Sequence, residues 1–257
     1  MADIYQELAR IAAAGEEAAL VTIVAASGST PRGVGAKMLV RADGSILGTV
    51  GGGNIEAKAI EMALEAIKQG QPRQFHFDLS GDKEELGMIC GGDTEVFIEP
   101  VLPPPTLYIF GAGHIALSLA KVGKLLGFRI AVIDNRAEFA NSERFPEADL
   151  ILAEEFGKAF SRIEINKLSY IVIVSHNHEF DELILEQALK TNAKYIGMIG
   201  SKTKNKAIFS HLLAKGISQE LMDKVHAPIG LAINSETPEE IAISILAEII
   251  KIRRSPT

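Results

Sequence analysis

Apolar positions along this chain switch between two spacings, and the switches mark its elements. Ile4, Leu8 and Ile11 recur every three to four residues, which puts them on one face of an amphipathic helix. An unbroken apolar run from Ala19 to Ala26 then predicts a buried strand. Met38–Arg41 and Ile46–Val50 are short strand-like runs on either side of Ala42-Asp-Gly-Ser45, whose Asp-Gly pair tolerates positive φ, so together they predict a hairpin. Helical spacing returns from Ile55 to Gln69, and Phe75–Asp78 and Thr94–Glu99 read as strands. This first stretch is therefore α+β.

From Leu107 the rhythm becomes strand, turn, helix, strand. Leu107–Phe110, a helix to Leu126, Arg129–Ile133 and Leu150–Leu152 come first, followed by strands at Tyr170–Val174 and Lys194–Met198. Apolar β-branched runs alternating with helices predict a doubly wound parallel sheet of the Rossmann-like α/β class. The last helix opens at Thr237-Pro-Glu-Glu240, where Thr caps, Pro suits the first helical position and Glu240 closes a capping box. Between the two rhythms stand three consecutive prolines, Pro103 to Pro105, which join neither a helix nor a central strand. The chain thus divides into a smaller N-terminal α+β domain (1–101), a proline linker (102–106) and a Rossmann-like domain (107–257).

Composition narrows the setting. One cysteine, Cys90, among 257 residues excludes an intrachain disulfide and fits a reducing, cytoplasmic compartment. The acidic start is unlike a secretory leader, and the most apolar stretch, Ile241 to Ile252, is interrupted by Glu248 and Lys251, so neither export nor a membrane span is expected. A net charge of −7 argues against a nucleic-acid partner.

Gly111-Ala112-Gly113-His114-Ile-Ala116 follows a predicted strand and opens a predicted helix. The first glycine permits the tight turn, the second lets backbone approach a pyrophosphate, and the helix N-terminus offers free N–H groups. Asp134 ends the next strand about 20 residues later, where a carboxylate accepts hydrogen bonds from ribose hydroxyls. Arg136 could instead meet a phosphate. A scaffold with an unused cleft is the plain alternative.

Three N-terminal segments are rich in glycine: 26–35, 48–54 and 87–92. Backbone N–H groups in such loops approach a ligand closely, and Ser27, Ser29, Thr30 and Arg32 add donors for an anion. Cys90 lies between Ile89 and Gly91-Gly92. With a free thiol pKa of about 8.5, half ionisation at neutral pH needs about 2 kcal/mol of stabilisation, which a soft metal could supply. A buried small hydrophobe is the usual role of a lone cysteine.

Taken in order, Gly28-Ser-Thr-Pro-Arg32, Gly51-Gly-Gly-Asn-Ile-Glu56, Gly87-Met-Ile-Cys-Gly-Gly92, Phe110-Gly-Ala-Gly-His114, Ser175-His-Asn-His178, Tyr195-Ile-Gly-Met-Ile-Gly-Ser201 and His226-Ala-Pro-Ile-Gly230 resemble the xanthine dehydrogenase accessory factor family, XdhC/CoxI. The resemblance implies an accessory protein without turnover of its own. Such a protein binds molybdenum cofactor (molybdopterin), protects it while a terminal sulfido ligand is installed, and hands it to a xanthine-dehydrogenase-type molybdenum hydroxylase. It implies the two-domain architecture, a homodimer, and a cysteine desulfurase as a further partner. The family's cysteine falls on Cys90 as the candidate metal ligand, and its fingerprint on Gly111 and Gly113. Leu231-Ala-Ile-Asn234 departs from the family, which carries an Asp and a Gly there.

His176 and His178 follow the strand at Tyr170–Val174, on the sheet edge where such folds bind ligands. On extended backbone they share a face, with Asp181 as a third metal ligand or an orienting group. The alternative is a loop whose histidines cap a helix or bond to cofactor. Lys202 and Lys204 could approach phosphates, and His226 either reaches the same cleft or ends the preceding helix. The candidate cofactor-binding residues are therefore Arg32, Cys90, Gly111, Ala112, Gly113, His114, Asp134, His176 and His178, expected to form one site with the glycine loops closing over the sheet edge. Two other functions compete with the leading one: an oxidoreductase using a dinucleotide such as NAD(P) or FAD, and a metal hydrolase built on His176 and His178. The last helix, apolar nearly all round, is the expected dimer contact.

Overall fold

A computed structural model of the chain describes residues 3–78 and 92–255. It comprises two compact units, Met1–Pro103 and Pro104–Thr257.

In the first unit α1 (Ile4–Ala14), β1 (Ala18–Gly28), β2 (Lys37–Arg41), β3 (Ile46–Gly48), α2 (Gly53–Gln69), β4 (Arg73–Asp78) and β5 (Gly92–Val101) follow one another. The strands form an antiparallel sheet in the order β3-β2-β1-β5-β4. Val21, Ile23, Val40, Val96 and Ile98 bury one face against Ile55, Ala59, Ala63 and Ala66 of α2. Those alanines recur every three to four residues, so the helix lays its small side chains on the sheet. Ile4, Leu8 and Ile11 of α1 pack with Ala18, Leu39 and Leu47 in a separate cluster. One expectation needs correcting: the apolar run of β1 is not buried to its end. The register with β5 shifts between Ile23 and Ala25, and Val24 is 42% exposed. A bulge of this kind bends and twists a strand and re-aims its side chains.

The second unit runs β6 (Thr106–Phe110), α3 (His114–Leu125), β7 (Arg129–Asp134), β8 (Leu150–Ala153), α4 (Phe156–Ala159), β9 (Ser169–Ile173), α5 (His178–Ala188), β10 (Tyr195–Met198), α6 (Lys202–Ala214), α7 (Gln219–Met222), β11 (Val225–His226) and α8 (Pro238–Arg254). Its parallel sheet has the order β11-β10-β9-β6-β7-β8, the doubly wound arrangement expected. Chain order reverses between β6 and β9, which makes their carboxyl ends the switch point. The inner strands β10, β9, β6 and β7 are covered on both faces: Leu107, Ile109, Ile130 and Val132 pack with α3 and α8, and Phe110, Ile133, Ile171 and Ile173 with α4, α5 and α6. Burial on both faces is why these strands read as continuous apolar runs.

Helix α8 opens on the expected capping box, with the Thr237 hydroxyl accepting from Glu240 N–H and Glu240 accepting from Thr237 N–H. Ala242, Ile245, Leu246 and Ile249 are buried, whereas Ile243 and Ile250 remain 48% and 38% exposed. Among the described residues no helix is long and apolar enough to cross a membrane.

Candidate functional site

The turn after β6 is shaped by two glycines with different tasks. Gly111 has φ 110°, and a Cβ on it would lie 2.4 Å from the carbonyl oxygen of Val174 at the end of β9. Only glycine lets the two loops of the switch point approach so closely. Gly113 is the N-cap of α3 with φ −78°, bonds through no side chain, and would carry a Cβ with nothing within 4 Å. The space before the helix is thus open, and the N–H groups of its first turn, beginning at His114, keep the positive end of the dipole towards it. Ala116 is wholly buried, as close packing of helix on strand requires.

Asp134 ends β7 wholly buried, and its carboxylate is already fully bonded. Oδ2 accepts from Ala112 N at 2.8 Å and Arg136 Nη2 at 2.9 Å; Oδ1 accepts from Arg136 N at 3.0 Å and Arg136 Nε at 2.9 Å. The Arg136 guanidinium lies 3.8 Å from the centre of the Phe139 ring, and that of Arg144 5.0 Å from it. Arg144 Nη2 also donates to Ala112 O at 3.2 Å. Burial, the largest influence on Asp134, pushes its pKa up, but the bonds from Arg136 and from Ala112 N–H outweigh it and hold the carboxyl below the usual range.

A depressed folded pKa gives stability that is complete above about pH 4 and lost as pH falls through the folded value. Asp134→Asn is therefore expected to cost about 2–4 kcal/mol at neutral pH, since it leaves Arg136 without its counter-charge. It should also flatten the acid limb of the stability curve. Denaturant titrations of both proteins at several pH values check this, and parallel acid limbs would remove Asp134 from the account.

At the end of β9, Asn177 caps α5 by accepting from Glu179 N–H, and His178 is the first helical residue. His176 and His178 are both exposed and flank an extended Asn177, with φ −139° and ψ 138°. The His176 ring meets the Phe180 edge at 5.2 Å. Asp181, the expected third member, is wholly buried and faces elsewhere: Ser175 Oγ lies 2.6 Å from Oδ1, and Lys204 Nζ donates to Oδ2 at 2.6 Å. It joins α5 to α6 and takes up the Lys204 ammonium. Among the described residues there is no group of three or more His, Cys, Asp or Glu placed to hold a metal ion.

In the first unit the glycine segments meet at one end of the sheet. Gly28 of β1 pairs with Gly92 of β5, and a Cβ on Gly92 would stand 2.3 Å from Ser27 O. Gly51 has φ 141° and would carry its Cβ 3.2 Å from the Pro31 ring. Its N–H donates to Thr49 Oγ1 at 3.1 Å, and the Thr49 hydroxyl bonds to Glu56. The segments around Ser27–Pro31, Gly51 and Gly92 therefore share one corner. Arg32 stands beside it, exposed and without an ion-pair partner among the described residues. Cys90 and the rest of its glycine segment up to Gly91 lie outside the described residues.

One polar network has no counterpart in the sequence reading. The Tyr195 hydroxyl donates to Glu248 Oε2 at 2.6 Å, and Gly230 N–H donates to the same oxygen at 3.1 Å. His226 is a strand residue of β11 that neither ends a helix nor lies in a turn; it stacks on Tyr195 at 4.8 Å, with Nδ1 3.7 Å from Glu248 Oε1. Burial, reinforced by the Glu248 carboxylate, pushes the Tyr195 pKa far up, so the phenol stays a donor and ties β10 to α8. The one signal in the sequence was the carboxylate of Glu248 inside an otherwise apolar helix.

For a dinucleotide, the glycine turn and open helix N-terminus fit a pyrophosphate, whereas Asp134 offers a ribose no free acceptor.

Comparison with known proteins places these features in context. Residues 107–249 match the family model described as the XdhC Rossmann domain, and residues 11–78 match that of the XdhC and CoxI family. The chain is 38% identical over 255 residues to the uncharacterized protein YqeB of Escherichia coli (strain K12), covering 98% of this chain and 47% of that protein. A Bacillus subtilis (strain 168) protein described as a probable xanthine dehydrogenase subunit is 32% identical over 161 residues, covering 63% of this chain and 47% of that protein. The molybdenum cofactor insertion chaperone PaoD of Escherichia coli (strain K12) is 25% identical over 271 residues, covering 93% of this chain and 84% of that one. The chain thus spans about half the length of the first two relatives. A solved structure described as a xanthine dehydrogenase from Bacillus halodurans shares the fold, with TM-score 0.55, 23% identity, and 98% and 96% of the two chains covered.

Proposed function

The chain belongs to the XdhC and CoxI family, and on that premise we propose that it binds molybdenum cofactor, protects it and delivers it in sulfurated form to a molybdenum hydroxylase of the xanthine dehydrogenase type. Likeness along most of its length to a molybdenum cofactor insertion chaperone supports the reading. So does the corner where the segments at Pro31, Gly51 and Gly92 meet, which is the observation that carries it. Exposed backbone at Gly28 and Gly53, an Arg32 with no ion-pair partner among the described residues, and Cys90, two residues before Gly92 in sequence, are the donors needed by a ligand with a phosphate and a soft metal. In this reading Arg32 holds the phosphate, Cys90 supplies a thiolate to the metal or guards its sulfido ligand, and a cysteine desulfurase is the sulfur source. The protein has no turnover of its own and works in the cytoplasm. An oxidoreductase reading that uses a dinucleotide with a free ribose diol is weaker, because the carboxylate that would orient that diol is bonded to Arg136.

Arg32→Ala tests the anchor. Loss of a charge-assisted hydrogen bond of about 1.5–3 kcal/mol is expected to weaken cofactor binding roughly 10- to 150-fold with the melting temperature unchanged, and Arg32→Lys should recover part of it. Unchanged affinity in Arg32→Ala would take this residue out of the site.

The same reading includes a homodimer through α8. Glu239, Ile243, Ala247, Ile250 and Arg254 fall within one face of that helix, with an acid at its start and a base at its end. An antiparallel pair of such helices would set each Ile243 against Ile250 of the other copy, and each Glu239 against Arg254 of the other copy. Ile243→Glu is expected to halve the mass seen by light scattering at micromolar concentration, and a monomeric mass for the unaltered protein would reject the dimer.

A further inference from the structure

The ends of β6 and β7 hold an acid and an arginine whose pairing the fold alone does not specify. A carboxylate offers about four lone-pair sites, and all those of Asp134 are filled by Ala112 N–H and by three N–H groups of Arg136. In a dinucleotide fold the acid at this position receives the two ribose hydroxyls, whereas a neighbouring arginine receives a ribose phosphate. Here the acid is wholly buried behind the arginine, and the arginine is the group that reaches solvent, its side chain 26% exposed.

Arg136 Nη1 makes no hydrogen bond within the described residues, and its guanidinium is held in place by Asp134 on one side and the Phe139 ring on the other. Arg144 adds a second guanidinium over the same ring, with a buried Nε that has no partner among the described residues. Glu138 and Glu143 on this segment are exposed, Glu138 being the one that acts on Arg136 through its charge, and Glu147 is half-buried with Oε1 unpartnered among the described residues. A bare ribose diol would therefore find no free carboxylate to accept its protons, and a phosphomonoester would meet one fixed guanidinium, with a second against the same aromatic ring.

We propose that Arg136, with Arg144 beside it, makes this edge selective for a nucleotide whose ribose carries a phosphomonoester over one with a free ribose diol. The proposal rests on the reading that the glycine turn of Gly111 and Gly113 holds a nucleotide. Arg136 acts twice: its outer edge binds the phosphate, and its inner edge withholds Asp134 from the diol. Removing it therefore does more than weaken one ligand, because it frees the acid for the other.

The test is calorimetry of the full chain against NADP+ and NAD+, which differ only by the ribose 2′-phosphate, with glycerol 3-phosphate as a phosphomonoester without a nucleoside. The expected result is NADP+ bound at least about tenfold more tightly than NAD+, a preference that shrinks as salt is raised. Arg136→Ala should reverse the order, with NAD+ now preferred. Should that variant melt early because Asp134 is left buried and unpaired, Arg136→Gln, which keeps a donor but no charge, should abolish the preference while retaining the fold. Equal binding of NADP+ and NAD+ by the unaltered protein, or a preference that survives both substitutions, overturns the proposal. Glycerol 3-phosphate binding as tightly as NADP+ overturns the part played by the ribose. Silence of the whole panel overturns it together with the nucleotide reading of the turn, and leaves the proposed role of Arg32 and Cys90 standing.

Discussion

Cys90→Ala is expected to lower retention of molybdenum cofactor, and with it activation of the client hydroxylase, by at least about tenfold, the equivalent of 1.4 kcal/mol. It should leave the melting temperature within the small range of substitutions that break no packed contact. The expectation is asymmetric for a chemical reason. A free thiol is only a few per cent ionised at neutral pH, and a soft metal shifts that equilibrium by binding the thiolate. Serine in its place has a similar size but a hard, far less acidic oxygen, so Cys90→Ser should be as defective as Cys90→Ala. If the thiol merely filled a hydrophobic niche, the outcome would differ in kind: stability would fall and cofactor retention would not. Cofactor retention by the alanine variant equal to that of the unaltered protein would remove Cys90 from the site.

Gly111→Ala is expected to be the most damaging single substitution in the second unit. The added Cβ would need φ 110°, a region that L side chains rarely adopt, and would stand 2.4 Å from Val174 O and 2.7 Å from Val174 C. Both are backbone atoms at the end of a central strand, so they cannot swing aside as a flexible side chain would. Strain at such a φ is worth about 1–3 kcal/mol, and separating the two loops adds to it. A total of about 3 kcal/mol or more corresponds to a fall in Tm of roughly 6–12 °C. Gly113→Ala is the control. Its φ of −78° suits any residue and its Cβ would meet open space, so the fold should persist while anything seated before α3 is pushed away. If both variants melt like the unaltered protein, the close approach at the switch point is not what fixes this turn.

Elements that repeat a local signal were legible in the sequence. The capping box of α8, the Asp-Gly hairpin between β2 and β3, and the doubly wound sheet all rest on residues a few positions apart or on runs of one chemistry. What escaped were features created by distant partners. The bulge after Ile23 belongs to the pairing of β1 with β5, so nothing within Ala19–Ala26 announces it. Asp134 was read as a ribose acceptor from its place in the pattern, yet Arg136 two residues on could be seen only as a neighbour, not as its bonded partner. Asp181 was grouped with His176 and His178 by proximity along the chain, whereas Lys204, 23 residues later, turns it away from them. Glu248 served only to exclude a membrane helix until Tyr195, 53 residues earlier, supplied its donor. Of the loops expected to surround a cofactor, those at Pro31, Gly51 and Gly92 share one corner because glycine permits the contacts between them.

If this protein carries molybdenum cofactor, the metal and the pterin must travel with it. Purifying the full chain anaerobically from cells that make the cofactor, then measuring molybdenum and oxidised pterin in the same sample, tests it most directly. The account predicts both, in equal amounts, approaching one per chain in the unaltered protein and falling by at least about tenfold in Cys90→Ala. Pterin and molybdenum at background in the unaltered protein, with the fold intact, would contradict it.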